Sequence, residues 1–159
     1  MTKNEYYEMV MENYRPAEKL IGLVPADKQN WQPGPTFMSV GQALAHLSEG
    51  LGGGLEMALN GKWPSMEEME VGMKLENMSS CNSQEALERL EKDKKILRQV
   101  LDGVSESDFT NKVLSVPWGW TAKMERLSIG FLGHFNNHKM QLFTYLKLIG
   151  LPVNTETLY

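Results

Sequence analysis

The sequence has little that would link it covalently or place it in a membrane. It contains one cysteine, Cys81, in 159 residues, which excludes an intramolecular disulfide framework. No apolar run approaches the roughly 20 residues that a helix needs to cross a bilayer. The first residues carry tyrosines and acids where a secretory signal needs an uninterrupted apolar segment. Together these absences predict a cytoplasmic protein.

The chain also lacks an excess of positive charge. The chain has 16 Lys and Arg against 20 Asp and Glu, a formal net charge of −4, which argues against sequence-independent binding of nucleic acid. Its length is typical of one domain with a proper core, and its 42% hydrophobic and 23% charged residues are ordinary for a soluble globular protein. We therefore expect a single domain over residues 1–159, with neither nucleic acid nor membrane as a partner.

Apolar periodicity and capping residues predict four long helices. By residue number they cover about 3–24, from a cap at Ser39 to about 60, about 83–102, and from a cap at Thr121 to about 149. The Met-rich segment 61–81 is interpreted as a loop with at most a short helix, and 104–120 as a connection. This pattern predicts an all-α fold, a four-helix bundle with mostly longer connections.

All three histidines of the chain fall within these predicted helices. His134 and His138 are four residues apart and therefore project to the same side of the last helix, on its core-facing stripe. Burying two imidazoles without partners would cost about a few kcal/mol, and a shared metal ion would offset that cost. His46, in the second predicted helix, could complete a three-nitrogen site with room for water or substrate.

The spacing also allows other interpretations. His134 and His138 could be core residues bonded to backbone or side chains. His46 lies off the apolar stripe of its helix, on a strip of small residues, which marks either a solvated face or the floor of a cavity. The run Gly52–Gly54 is unfavourable inside a helix by roughly 1 kcal/mol per glycine relative to alanine. It could mark a break, a close helix contact or access for a ligand.

Several other side chains could support such a site. Glu49 follows His46 by three residues and could be a fourth ligand, a proton acceptor or a hydrogen-bond partner of a ligand, with a surface acid as the alternative. Gln141 follows His138 by three residues and could orient a ligand or a substrate. Three tryptophans lie in the predicted connections and could either wall a substrate pocket or cap the core: Trp63, Trp118 and Trp120.

The segment G-H-F-N-N-H-K-M-Q-L-F-T-Y-L-K-L-I-G-L-P-V, residues 133–153, resembles the last helix of the DinB-like (YfiT-type) family of candidate metal-dependent enzymes. The stretch from Trp31 through Ser39-Val40-Gly41-Gln42 resembles the start of that family's second helix. The resemblance implies a four-helix bundle that holds a divalent metal through three histidines, which here are His46, His134 and His138. Two departures touch no ligand: Lys139-Met140 stands where the family often has Arg-Gly, and Asn154 where a second proline is frequent.

Three neutral imidazoles would leave a bound ion its charge and open positions. Such an ion can lower the pKa of bound water to about 7 or hold a thiolate. We therefore expect a metal-dependent thiol transferase or hydrolase that acts on a small molecule, with a low-molecular-weight thiol as one candidate partner. The resemblance favours thiol chemistry and is compatible with a homodimer. Zinc, nickel and iron all accept imidazole.

Two alternatives to an enzyme stay open. The chain could be a non-catalytic module that binds a metal or small molecule, for example in a stress response. It could also be a metal-free bundle in which the histidines only pack.

Overall fold

The computed structural model describes all 159 residues, and it is helical apart from one two-stranded sheet. The elements in chain order are α1 (Lys3–Gly22), α2 (Val40–Ser48), α3 (Gly52–Asn60), α4 (Met66–Gly72), α5 (Ser83–Asp102), α6 (Glu106–Asn111), β1 (Val113–Ser115), β2 (Thr121–Lys123), α7 (Met124–Leu148) and α8 (Thr155–Leu158). Short 3₁₀ turns occur at Ala26–Lys28 and Leu75–Asn77. No helix combines the length and the apolar character that spanning a membrane requires.

Four helical members form the bundle: α1, the α2–α3 pair, α5 and α7. Helix α1 packs against α5 and α7, and α2 packs against the same two helices, so the main contacts close a ring around one hydrophobic core. Each long helix buries an apolar stripe in that core, as amphipathic periodicity requires. The predicted all-α four-helix bundle is confirmed.

Capping residues fix the starts of α1 and α2, and Ser39 is the cap that the sequence predicted for the second helix. The Thr2 hydroxyl accepts a hydrogen bond from the Glu5 amide, and the Glu5 carboxylate accepts one from the Thr2 amide. Ser39 and Gln42 form the same reciprocal pair at the start of α2. Each pair satisfies two amide groups that a helix start otherwise leaves without a partner.

The predicted second helix is two helices. Helix α2 ends at Ser48 and α3 begins at Gly52. Between them Gly50 has a φ of 69°, in the left-handed region that glycine adopts without a steric penalty. The glycine-rich run therefore marks a break in the chain direction, one of the interpretations that the sequence left open.

A buried carboxylate from α5 holds this break. Asp93 is 3% exposed, and it accepts hydrogen bonds of 2.9 Å from three consecutive amides at the start of α3: Leu51, Gly52 and Gly53. The Tyr14 hydroxyl of α1 donates a further bond of 2.6 Å to the same carboxylate. A Cβ at Gly52 would lie 2.5 Å from the backbone nitrogen of Leu97, so the run also marks a close helix contact.

The connection between α5 and α7 contains a helix and a hairpin that periodicity did not indicate. Strand β1 pairs with β2 in antiparallel register, with Leu114 opposite Ala122. The turn is closed by the Gly119 amide, which donates to the Val116 carbonyl at 3.1 Å. Because residues 121–123 belong to β2, helix α7 begins at Met124, and the predicted cap at Thr121 is wrong.

The Met-rich segment contains one short helix, α4. Its first turn is capped by Ser65 and Glu68, and none of its residues is buried. This agrees with the predicted loop that carries a short helix.

Candidate metal centre

The three histidines meet between α2 and α7. His46 lies in the last turn of α2, and His134 and His138 lie on successive turns of α7. One nitrogen from each ring lies within 4.8 Å of the others, and the Nε2 atoms of His46 and His134 are 3.2 Å apart. Two nitrogens bound tetrahedrally to one ion at about 2.0–2.1 Å lie about 3.3 Å from each other. The observed spacing therefore fits a shared divalent ion.

Two of the three imidazole rings have a polar side-chain partner at Nδ1. Nδ1 of His46 lies 3.3 Å from the Glu49 carboxylate. Nδ1 of His138 lies 2.9 Å from Oε1 of Gln141, whose amide group donates to the Tyr145 hydroxyl at 3.0 Å. Contacts of this kind orient an imidazole and leave Nε2 free to bind an ion. Glu49 thus contacts His46, and Gln141 contacts His138, as their spacing in the sequence suggested.

Partial removal from water favours the neutral form of two of these imidazoles. It lowers the pKa of His134, and the neighbouring His46 lowers it further. Burial also lowers the pKa of His138, against the opposite effect of its hydrogen bond with Gln141. A neutral ring is the form that binds metal, so the donor set suits the zinc, nickel or iron that the sequence predicted.

The histidines face an open pocket. His134 is exposed, and His46 and His138 are half-buried, so the prediction that His134 and His138 lie on the core-facing stripe is wrong. The neighbours Phe135 and Lys139 take the buried positions on α7. The side of α7 that carries His134 and His138 faces a pocket, whose opposite wall comes from α2, the α2–α3 break and α3.

The pocket has a volume of about 350 Å³. Its lining includes Gly50 and Gly53 from the strip of small residues beside His46, as expected of a cavity floor. Four aromatic side chains also line it: Trp63, Trp118, Phe131 and Phe135. The rings of Trp63 and Trp118 pack edge to face with their centroids 5.1 Å apart.

A solved structure shares this architecture. The crystal structure of a protein from Exiguobacterium sibiricum 255-15, described as a candidate member of the DinB family, matches this chain with a TM-score of 0.66. The two sequences are 18% identical, and the match covers 96% of this chain and 97% of that one. This chain has the DinB-like fold. No protein-family model and no curated protein matches its sequence.

The third of these tryptophans, the cysteine and the methionines take different places. Trp120 does not line the pocket; a Cβ at Gly130 would come within 2.2 Å of its ring. Cys81 is buried outside the pocket, and burial raises the pKa of its thiol. Of the methionines, Met57 lines the pocket and the four in the segment 61–81 do not.

Sequence reasoning missed Asp93, which holds the floor of the pocket. A signal for it was present, because Asp93 lies three residues after Leu90 and four before Leu97, two buried positions of α5. A carboxylate at helical spacing on an apolar stripe must find donors, since an unpaired buried charge is costly. The consecutive amides of Leu51, Gly52 and Gly53 are those donors.

Proposed function

We propose that this chain is a divalent-metal-dependent enzyme that acts on a small molecule, with His46, His134 and His138 as the metal ligands. The observation that supports the proposal is the convergence of three imidazole nitrogens beside an open pocket. A site with three protein ligands and open access is typical of catalytic rather than structural metal centres. The sequence resemblance to a family of candidate metal-dependent enzymes points the same way.

The ion, when bound, would supply a Lewis acid that activates a thiol or a water molecule. Glu49 orients the ring of His46, and it is the only carboxylate on the pocket wall. We therefore propose it as the proton acceptor of the reaction. Gln141 holds the ring of His138 through its link to Tyr145.

The nucleophile distinguishes two versions of this proposal. The sequence resemblance favours a low-molecular-weight thiol, which makes the protein a thiol transferase. Turnover of an electrophile that requires both the metal and the thiol supports this version. Cleavage of esters or amides without a thiol supports a hydrolase.

A non-catalytic metal- or small-molecule-binding module is the second candidate. It is favoured by the single carboxylate of the pocket wall, because no second acid stands opposite Glu49 to form a general acid–base pair. Tight metal binding without turnover in either assay would support this module.

The metal content of tag-free protein tests the proposal. We expect about one divalent ion per chain by plasma mass spectrometry, and less than a tenth of that in His138→Ala, because two nitrogens hold an ion much more weakly than three. Asn137→Ala is the matched control, since Asn137 is the exposed neighbour on the same helix and should keep the full content. Native protein that takes up no zinc, nickel or iron would contradict the proposal.

A further inference from the structure

We infer that the pocket beside the histidines selects a small molecule through a flat aromatic group. This names the substrate class of the proposed enzyme and so rests on the proposed function. Two properties of the pocket carry the inference: its aromatic wall and its open floor.

The wall is built from aromatic rings of three separate parts of the chain. Trp63 follows α3, Trp118 lies in the hairpin turn, and Phe131 and Phe135 come from α7. Trp118 is 50% exposed although its ring packs against Trp63. A flat ring seated in the pocket would remove water from this indole face, and pairs of aromatic rings favour each other beyond the area that they bury.

The floor leaves room for such a ring because it lacks side chains. A Cβ at Gly53 would meet nothing closer than an oxygen of Asp93 at 3.9 Å, and a Cβ at Gly54 would meet the Phe131 ring at 3.5 Å. Both distances are ordinary van der Waals separations. An alanine at Gly54 would therefore fit the fold and occupy space in the pocket.

Two uncharged probes of similar size test for aromatic recognition: benzyl alcohol, which has a flat ring, and cyclohexylmethanol, which does not. Their affinities are compared by saturation-transfer NMR at pH 8, on the protein as purified and after removal of any metal with a chelator. In chelator-treated protein we expect benzyl alcohol to bind at least fivefold more tightly than cyclohexylmethanol. Equal affinities, or cyclohexylmethanol as the tighter ligand there, would overturn the inference.

Variants locate the binding. Trp118→Leu and Gly54→Ala should each weaken the binding of benzyl alcohol at least fivefold. Phe37→Leu should not, because Phe37 is an exposed aromatic residue outside the pocket. Gly54→Ala keeps the test independent of folding, since alanine favours a helix over glycine. Unchanged affinity in both pocket variants would overturn the inference.

The metal content of the same samples separates this inference from the proposed function. Aromatic preference in a protein that takes up no metal supports the inference and contradicts the metal site. A bound metal without aromatic preference leaves the metal site and overturns the inference.

Discussion

Glu49 shows how one partly exposed side chain can tune the candidate centre. Its carboxylate contacts Nδ1 of His46, and 60% of its side chain is exposed. Removing the outer partner of a metal-binding imidazole commonly costs about 10–100-fold in affinity, and the exposure of Glu49 places it at the lower end. We therefore expect Glu49→Ala to weaken zinc binding by about tenfold, measured by competition with a chelating dye.

Glu56→Ala is the control for that measurement, because Glu56 is an exposed acid of α3 that does not line the pocket. If both variants bind zinc with the same affinity, Glu49 is a surface acid without a role in the metal centre.

The site residues differ in how far sequence predicts them. His134 and His138 follow from a spacing of four within one helix, a local property. His46 does not, because its position off the apolar stripe becomes a pocket position only through the break after α2. The family resemblance indicated His46 as a ligand, and the structure shows why it can be one, because His46 lines the pocket.

At the scale of elements, the α2–α3 break depends on Asp93. An amide in its place keeps one acceptor oxygen and turns a donor toward the buried amides, which leaves hydrogen-bonding groups without partners at roughly 1–3 kcal/mol each. We expect Asp93→Asn to lower the free energy of unfolding by about 2–4 kcal/mol and to weaken zinc binding, because α2 loses its fixed end. Denaturant unfolding of chelator-treated protein measures the first effect and dye competition the second.

Asp102→Asn gives the comparison on the same helix, since Asp102 is exposed and pairs with Arg98 in the i, i+4 arrangement. Its loss should cost less than about 0.5 kcal/mol. Unfolding free energies within experimental error of each other in the two variants would contradict the role of Asp93.

Local pattern could not predict two of the elements. The segment from Ser39 to Asn60 keeps helical periodicity throughout, and the carboxylate that caps its second half comes from α5, far away in the chain. Strands β1 and β2 have three residues each, too few for alternation to be recognised. The Val-Pro-Trp-Gly turn between them was the only local signal.

At the scale of the whole molecule, the lowered pKa values of His134 and His138 make stability depend on pH. In the unfolded chain a histidine takes up a proton near its ordinary pKa of about 6.5, whereas the folded protein resists protonation at these two rings. The unfolded state therefore binds more protons below that pH. We expect the Tm of chelator-treated protein to fall as the pH decreases from 7.5 to 5.5.

His134→Asn should show a smaller fall over the same range, because one of the two shifted groups is absent. A Tm that rises toward pH 5.5 in the native chain would contradict the assignment.

The bundle itself was the most predictable property of the molecule. Helices α1, α5 and α7 each carry a long and mainly apolar stripe, and together they contribute most of the core. Such stripes survive large changes in sequence, which is why 18% identity is compatible with a TM-score of 0.66.

The network around Asp93 also has a consequence for the order of folding. Tyr14 and Asp93 are 79 positions apart, and Leu51 is 37 from the first and 42 from the second. These hydrogen bonds can form only after long loops have closed, a step that costs entropy before the contacts repay it. We therefore expect the helices to pack together first. The break between α2 and α3, which follows the turn that carries His46, should form late in folding.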